Sequence, residues 1–152
     1  ELPLDSFVGP GAVIAVKKRG GEEVTAKDLE ASGVAVNRGD ILMLCTGWDE
    51  KFESPDYNLH PYLSVDAAQW MVEKGVKLFG IDCITVDLPT PLRQKGFDFP
   101  VHKMLLGNGV LIAENVANLG KVVGKKTRIL ALPLMVKGSD AGHARIVAEI
   151  LN

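Results

Sequence analysis

The chain has 152 residues, of which 47% are hydrophobic and 24% are charged. This composition is that of a folded globular protein and excludes an intrinsically disordered segment. A formal net charge of -2 offers no electrostatic attraction to nucleic acid or to anionic lipid. No stretch approaches the ~20 consecutive apolar residues of a membrane span. We therefore expect one domain over residues 1–152, located in the cytoplasm, that binds neither nucleic acid nor membranes.

Apolar runs separated by turn signals predict alternating strands and helices. Short continuous apolar runs predict strands at 11–16, 41–46, 76–81, 110–113, 128–132 and 146–150. Capping residues and apolar spacing predict helices or helical turns at 25–32, 64–74, 102–107 and 116–119. Two aperiodic stretches, 49–61 and 82–100, are predicted to be loops of the kind that often border a site. The alternation indicates an α/β domain.

Two polar residues interrupt the apolar pattern near the third quarter of the chain. Glu114 directly follows the strand predicted at 110–113, and active-site groups of α/β proteins collect at the ends of strands. A structural ion pair, or an N-cap for a helix at 116–119, explains Glu114 equally well. His102 alone is more typical of a hydrogen-bonded structural histidine. Their separation of 12 positions (114 − 102) matches no general metal motif such as HExxH.

Other polar residues lie at strand ends or in loops. Asp82 and Asp87 could orient a ligand, although accepting backbone hydrogen bonds in a turn is the more usual role. His60 and His143 could transfer protons, but a solvent-facing position is the simpler interpretation for both.

The two cysteines, Cys45 and Cys83, both lie within apolar runs. This position favours buried free thiols over a disulfide. A redox role is disfavoured, because neither cysteine has a basic residue or histidine close in sequence that would lower the pKa of its thiol.

Five stretches follow one another along the chain in a distinctive order: 2–9, 44–48, 80–87, 102–115 and 131–134. Together they resemble the cyclase family, whose members include bacterial kynurenine formamidases and isatin hydrolases. The resemblance implies a single α/β domain of the swivelling β/β/α type, with a mixed, curved β-sheet and peripheral helices. It also implies a metal-dependent hydrolase that cleaves a C–N amide bond.

The resemblance also implies roles for particular residues. In the family, a histidine and a glutamate in a block like 102–115 bind a divalent metal, which corresponds to His102 and Glu114 here. The other ligands of the family come from an upstream HxGTHxDxP motif that this sequence lacks, so we expect the chain to be N-terminally incomplete. Zn or Mn held with an open coordination position activates water and polarises a carbonyl group.

The substrate implied by the resemblance is an aromatic amide, either an arylformamide or a cyclic amide. Five residues are expected to line its pocket: Trp48, Phe52, Tyr57, Asp82 and Thr85. Family members associate, so a homodimer or homotetramer is expected, and no general acid or base is assigned. The alternative is a non-catalytic ligand-binding protein with the same fold and a lost metal site.

Overall fold

The computed structural model of the protein describes residues 2–151. Within this part of the chain the strands are β1 (Val8–Ala15), β2 (Glu23–Val24), β3 (Ile41–Cys45), β4 (Tyr62–Leu63), β5 (Leu78–Ile81), β6 (Leu111–Ala113), β7 (Thr127–Pro133) and β8 (Ala144–Ile150). All six predicted strands are present. The strands β2 and β4 were not predicted, because two residues are too few to show an alternating pattern.

Six strands form one sheet in the order β6-β5-β3-β1-β7-β8. The first four of these are parallel to one another, whereas β7 runs antiparallel to both β1 and β8. The mixed sheet expected from the sequence is therefore confirmed. The strands β2 and β4 form a separate parallel pair.

Three helices accompany the sheet: α1 (Ala26–Ala31), α2 (Val65–Lys74) and α3 (Pro100–Gly107). The hydroxyl group of Ser64 accepts a hydrogen bond from the N–H of Ala67 and caps α2, as the sequence predicts. At the other end of α2, Gly75 adopts a left-handed conformation, which a residue with a side chain would adopt at a cost. No helix of the described residues is long and apolar enough to cross a membrane.

The prediction of a helix at 116–119 is wrong. The N–H groups of Asn115 and Val116 donate to the carbonyl oxygens of Cys83 and Ile81, respectively. These bonds hold the chain against the end of β5. Asn115 and Asn118 both adopt left-handed backbone conformations, with φ of 57° and 64°, which a right-handed helical turn does not contain. Only a short 3-10 turn follows, at Leu119–Lys121.

The sheet is covered on both faces at its central strand β3. All five residues of β3 are buried. Leu42 and Leu44 belong to a cluster with Met71 of α2, whereas Ile41 and Met43 belong to a second cluster on the other face. Burial on both faces explains why β3 reads as a continuous apolar run with no alternation.

A capping box at the start of α1 predicts a stability that depends on pH. The carboxylate of Asp28 accepts hydrogen bonds from Thr25 and pairs with Lys18 at 2.9 Å. Burial raises the pKa of Asp28, but these partners outweigh it and lower the pKa from 3.8 to about 2. The ionised carboxylate therefore stabilises the folded state above pH 3.8, and this contribution is lost as the pH falls towards 2.

We expect Asp28→Asn to lower the free energy of unfolding by about 1–2 kcal/mol at pH 7 and by about half as much at pH 3. Urea unfolding at the two pH values measures this difference. Asp140→Asn, at an exposed carboxylate, is the matched control and should change little at either pH. An effect of Asp28→Asn that is equal at pH 7 and pH 3 would contradict the assignment.

Candidate functional site

Three parallel strands end at the same edge of the sheet and bring their following residues together. Thr46 follows β3, Asp82 follows β5 and Glu114 follows β6. Because β6, β5 and β3 are neighbours in the sheet, their carboxyl ends lie side by side. In α/β proteins this edge is where ligands bind.

Asp82 connects the ends of two of these strands. Its side chain is completely buried. One carboxylate oxygen, Oδ2, accepts hydrogen bonds from the N–H groups of Thr46 at 2.8 Å and Gly47 at 2.7 Å. The other oxygen, Oδ1, accepts from the hydroxyl group of Thr46 at 2.6 Å. Burial raises the pKa of Asp82, and these three hydrogen bonds oppose that shift.

Asp87 positions His102 at the start of α3. Its buried carboxylate accepts hydrogen bonds from the N–H groups of Val101 at 2.9 Å and His102 at 3.1 Å, which caps the helix. The same carboxylate lies 2.6 Å from Nδ1 of His102. The imidazole ring is thereby fixed, and its second nitrogen, Nε2, faces Glu114.

Glu114 lies opposite that second nitrogen. Its Oε1 is 3.5 Å from Nε2 of His102 and accepts a hydrogen bond from the N–H of Val86 at 3.0 Å. The alternative role of Glu114 as an N-cap is wrong, because no helix starts at Val116. The other alternative, a structural ion pair of Glu114 with His102, requires that His102 is protonated.

The charges around His102 favour its protonated form. The hydrogen bond with Asp87 raises the pKa of His102, burial opposes this shift, and the carboxylate of Glu114 adds to it. Burial raises the pKa of Asp87, but the hydrogen bonds from His102 and Val101 outweigh it and lower the pKa. Both carboxylates therefore stabilise the protonated form of the ring relative to its neutral form. A metal bound at Nε2 would compete with the proton for this nitrogen.

The pair of His102 and Glu114 fits part of a metal site. Two ligand atoms at ordinary distances from a tetrahedral zinc ion stand about 3.3 Å apart, and Nε2 and Oε1 are 3.5 Å apart. A carboxylate on the other nitrogen of the ring, here from Asp87, is the usual partner of a metal-binding histidine. Among residues 2–151, no group of three or more His, Cys, Asp and Glu side chains surrounds one point.

The residues predicted to line a pocket lie at different depths. The hydroxyl group of Tyr57 donates to the side chain of Asn115, the residue after Glu114, at 2.7 Å. Trp48 is buried, and its indole N–H donates to the carbonyl oxygen of Tyr57 at 2.9 Å. Phe52 is 63% exposed, with its ring 5.4 Å from that of Tyr57. Of these three aromatic residues, Tyr57 is therefore the one that is hydrogen-bonded to the residue next to Glu114.

The other two predicted pocket residues take part in loop structure. Thr85 accepts a hydrogen bond from the N–H of Asp87 through its hydroxyl oxygen at 3.4 Å. Asp82 uses both carboxylate oxygens on Thr46 and Gly47. Contact of either residue with a substrate stays a prediction.

Two further histidines were expected to face solvent. His143 does so. For His60 the prediction is wrong, because its side chain is completely buried. Its Nδ1 lies 2.7 Å from the carbonyl oxygen of Pro61, and burial lowers the pKa of the ring. The position between a leucine and a proline hides this burial from sequence analysis.

Both cysteines are free and buried, as predicted. Burial raises the pKa of the thiol of Cys45 and that of Cys83. A raised pKa leaves little thiolate at neutral pH, so the environment of both thiols is unlike that of a reactive cysteine.

Two interactions at the site were missed by the sequence analysis. Asn115, in a left-handed conformation with φ of 57°, accepts from Tyr57. Thr46 both donates to Asp82 and accepts from the N–H of Trp48 through its hydroxyl group. The only available signal was that each of these polar residues lies within two positions of the end of an apolar run.

Comparison with known proteins places the chain among related sequences. The Cyclase family model matches residues 1–88. The kynurenine formamidase of Bacillus mycoides (strain KBAB4) is 32% identical over 148 residues, which cover 97% of this chain and 65% of that protein. The kynurenine formamidase of Salinibacter ruber (strain DSM 13855 / M31) is 31% identical over 147 residues, with the same coverage of 97% and 65%. The chain thus spans about 65% of the length of these relatives.

Several solved structures have a fold similar to that of this chain. A structure described as a potential metal-dependent hydrolase with cyclase activity has a TM-score of 0.76 at 27% identity, and the match covers 95% of this chain and 66% of that one. An isatin hydrolase bound to the product analogue thioisatinate has a TM-score of 0.83 at 22% identity, covering 97% of this chain and 62% of that one. At that identity the second likeness concerns the fold alone.

Proposed function

Because the chain belongs to the cyclase family, we propose that the protein is a metal-dependent hydrolase that cleaves the C–N amide bond of an arylformamide or a cyclic aryl amide. The observation that carries this proposal is the position of His102 between two carboxylates, with Asp87 on Nδ1 and Glu114 facing Nε2. The relatives named kynurenine formamidase support the choice of reaction.

We propose that His102 and Glu114 would hold the divalent ion, Zn or Mn. Histidine and carboxylate ligands suit both metals. When bound, the ion supplies a Lewis acid for the amide carbonyl group and lowers the pKa of water. Asp87 holds the imidazole ring in place, and the N–H of Val86 orients the carboxylate of Glu114. The remaining ligands would lie outside the described residues.

We also propose that the protein associates with copies of itself and is located in the cytoplasm. Association into a homodimer or homotetramer is supported by exposed apolar side chains after β7, where Leu134 is 67%, Met135 95% and Val136 58% exposed. A cytoplasmic location is supported by two free, buried thiols. A non-catalytic binding role is not favoured, because the relatives are named as enzymes.

Removal and return of metal tests the function. We expect the purified protein to release aniline from formanilide, to lose this activity after treatment with a chelator, and to regain it with Zn²⁺ or Mn²⁺. Activity that survives complete removal of metal would contradict a metal-dependent reaction. Tight metal binding without hydrolysis of formanilide or isatin would instead favour the alternative function, a non-catalytic ligand-binding protein.

A further inference from the structure

Arg93 is held in place beside the candidate metal-binding pair by a carbonyl group and two aromatic rings. Its Nε donates to the carbonyl oxygen of Leu88 at 2.7 Å. Its guanidinium carbon, Cζ, lies 5.1 Å from the centre of the Phe97 ring and 4.8 Å from that of Phe99. Contacts of this kind fix the orientation of a guanidinium group.

The charge of Arg93 has no carboxylate partner among residues 2–151. The acidic residues close to it in the loop have other partners: Asp98 pairs with Lys103 at 3.1 Å, and Asp87 is bound to His102 and the start of α3. Arg93 is nevertheless partly buried, and of its three guanidinium nitrogens only Nε has a hydrogen bond to another group among residues 2–151. A partly buried cation without a counterion is costly, and such groups are common at binding sites.

Phe99 connects this cation to His102. The two rings meet edge to face, with their centres 6.0 Å apart. Phe99 has a φ of 54°, a left-handed conformation that is rare and costly for a bulky side chain. Its side chain also remains 42% exposed. The loop thus keeps an accessible aromatic surface between Arg93 and the metal-binding pair in spite of the backbone strain.

We propose that Arg93 is a specificity-determining residue that binds a carboxylate group of the substrate, while Phe99 contacts the substrate's aromatic ring. The free side of the guanidinium group offers parallel N–H donors that match a carboxylate. The preferred substrate is then an aromatic amide that carries a carboxylate on the same ring or on a short side chain. This inference rests on the proposed function, because it names the substrate class of that same site.

A pair of substrates that differ in charge tests the proposal. We expect Arg93→Gln to lower kcat/KM for formamidobenzoate by about 10–100-fold, mainly through KM, and to change kcat/KM for the neutral formanilide by less than about 3-fold. Arg93→Lys keeps the charge without the planar fork and should recover part of the loss. Lys95→Gln removes an exposed charge from the same loop and should affect neither substrate.

Binding to chelator-treated protein separates this inference from the proposed hydrolysis. Benzoate should bind the wild-type protein at least about tenfold more tightly than benzamide, and Arg93→Gln should remove that preference. If the wild type hydrolyses neither formamide, the proposed function fails, while a benzoate preference that depends on Arg93 still supports the carboxylate site. The carboxylate site would be overturned if Arg93→Gln lowered kcat/KM equally for both substrates or for neither. It would also be overturned if the wild-type protein bound benzoate no more tightly than benzamide. Circular dichroism of each variant confirms that it is folded.

Discussion

Replacing His102 or Glu114 by glutamine should weaken the binding of Zn²⁺ or Mn²⁺ by more than about 100-fold. Each substitution removes one of the two ligand atoms that lie 3.5 Å apart. Glutamine keeps the approximate size of both side chains but supplies neither an imidazole nitrogen nor a carboxylate. Metal titration by calorimetry measures the affinity, and formanilide hydrolysis should fall in parallel.

Two further variants make this series informative. Asp87→Asn leaves both ligands in place but weakens the contact that orients His102, so we expect an intermediate loss of about 10–100-fold. His143→Gln removes an exposed histidine and should leave metal affinity unchanged. If the His102 and Glu114 variants bind metal as tightly as the His143 variant, these two residues are not ligands.

Asp82→Ala should lower the free energy of unfolding by about 3 kcal/mol or more, which corresponds to a fall in Tm of about 6–12 °C for a chain of this size. The substitution leaves two backbone N–H groups and one hydroxyl group without an acceptor. Their burial at the ends of β3 and β5 prevents water from replacing the lost carboxylate easily. Urea unfolding measures the loss.

Asp82→Asn is the matched comparison and should cost about a third as much. Its carbonyl oxygen can accept from both N–H groups of Thr46 and Gly47, while its NH₂ group can donate to the hydroxyl oxygen of Thr46. Similar losses for the alanine and asparagine variants would show that the hydrogen bonds are not the source of the stability. A loss below about 1 kcal/mol for alanine would show that the buried carboxylate contributes little.

Elements with a helical period or with a continuous apolar run were predictable from the sequence. The capped amphipathic segment at 64–74 became α2, and the continuous apolar run at 41–46 became the central strand β3. The prediction of a helix at 116–119 failed, because Asn115 and Asn118 adopt left-handed conformations and the local helical preference of a few residues is weak.

His102 and Glu114 were named as a metal-binding pair only through the family resemblance. His102 lies in a helix and Glu114 follows a strand, so no period within a single element connects the two residues. Acceptance of backbone hydrogen bonds by Asp87 was among the roles considered from the sequence, but its contact with His102 and the surroundings of Arg93 were not predicted. Hydrogen bonds across a loop leave no pattern in the sequence.

The amino-acid sequence alone was enough to predict the alternation of strands and helices, the small net charge and the apolar setting of both thiols, because these properties depend on hydrophobic pattern and composition. Only the tertiary structure decided which polar residues meet. The parallel pairing of β6, β5 and β3 brings Glu114, Asp82 and Thr46 to one edge of the sheet, and the cap from Asp87 turns His102 towards Glu114. Such contacts join residues far apart in the chain, and their distances are set by the register of strands rather than by any spacing along the sequence.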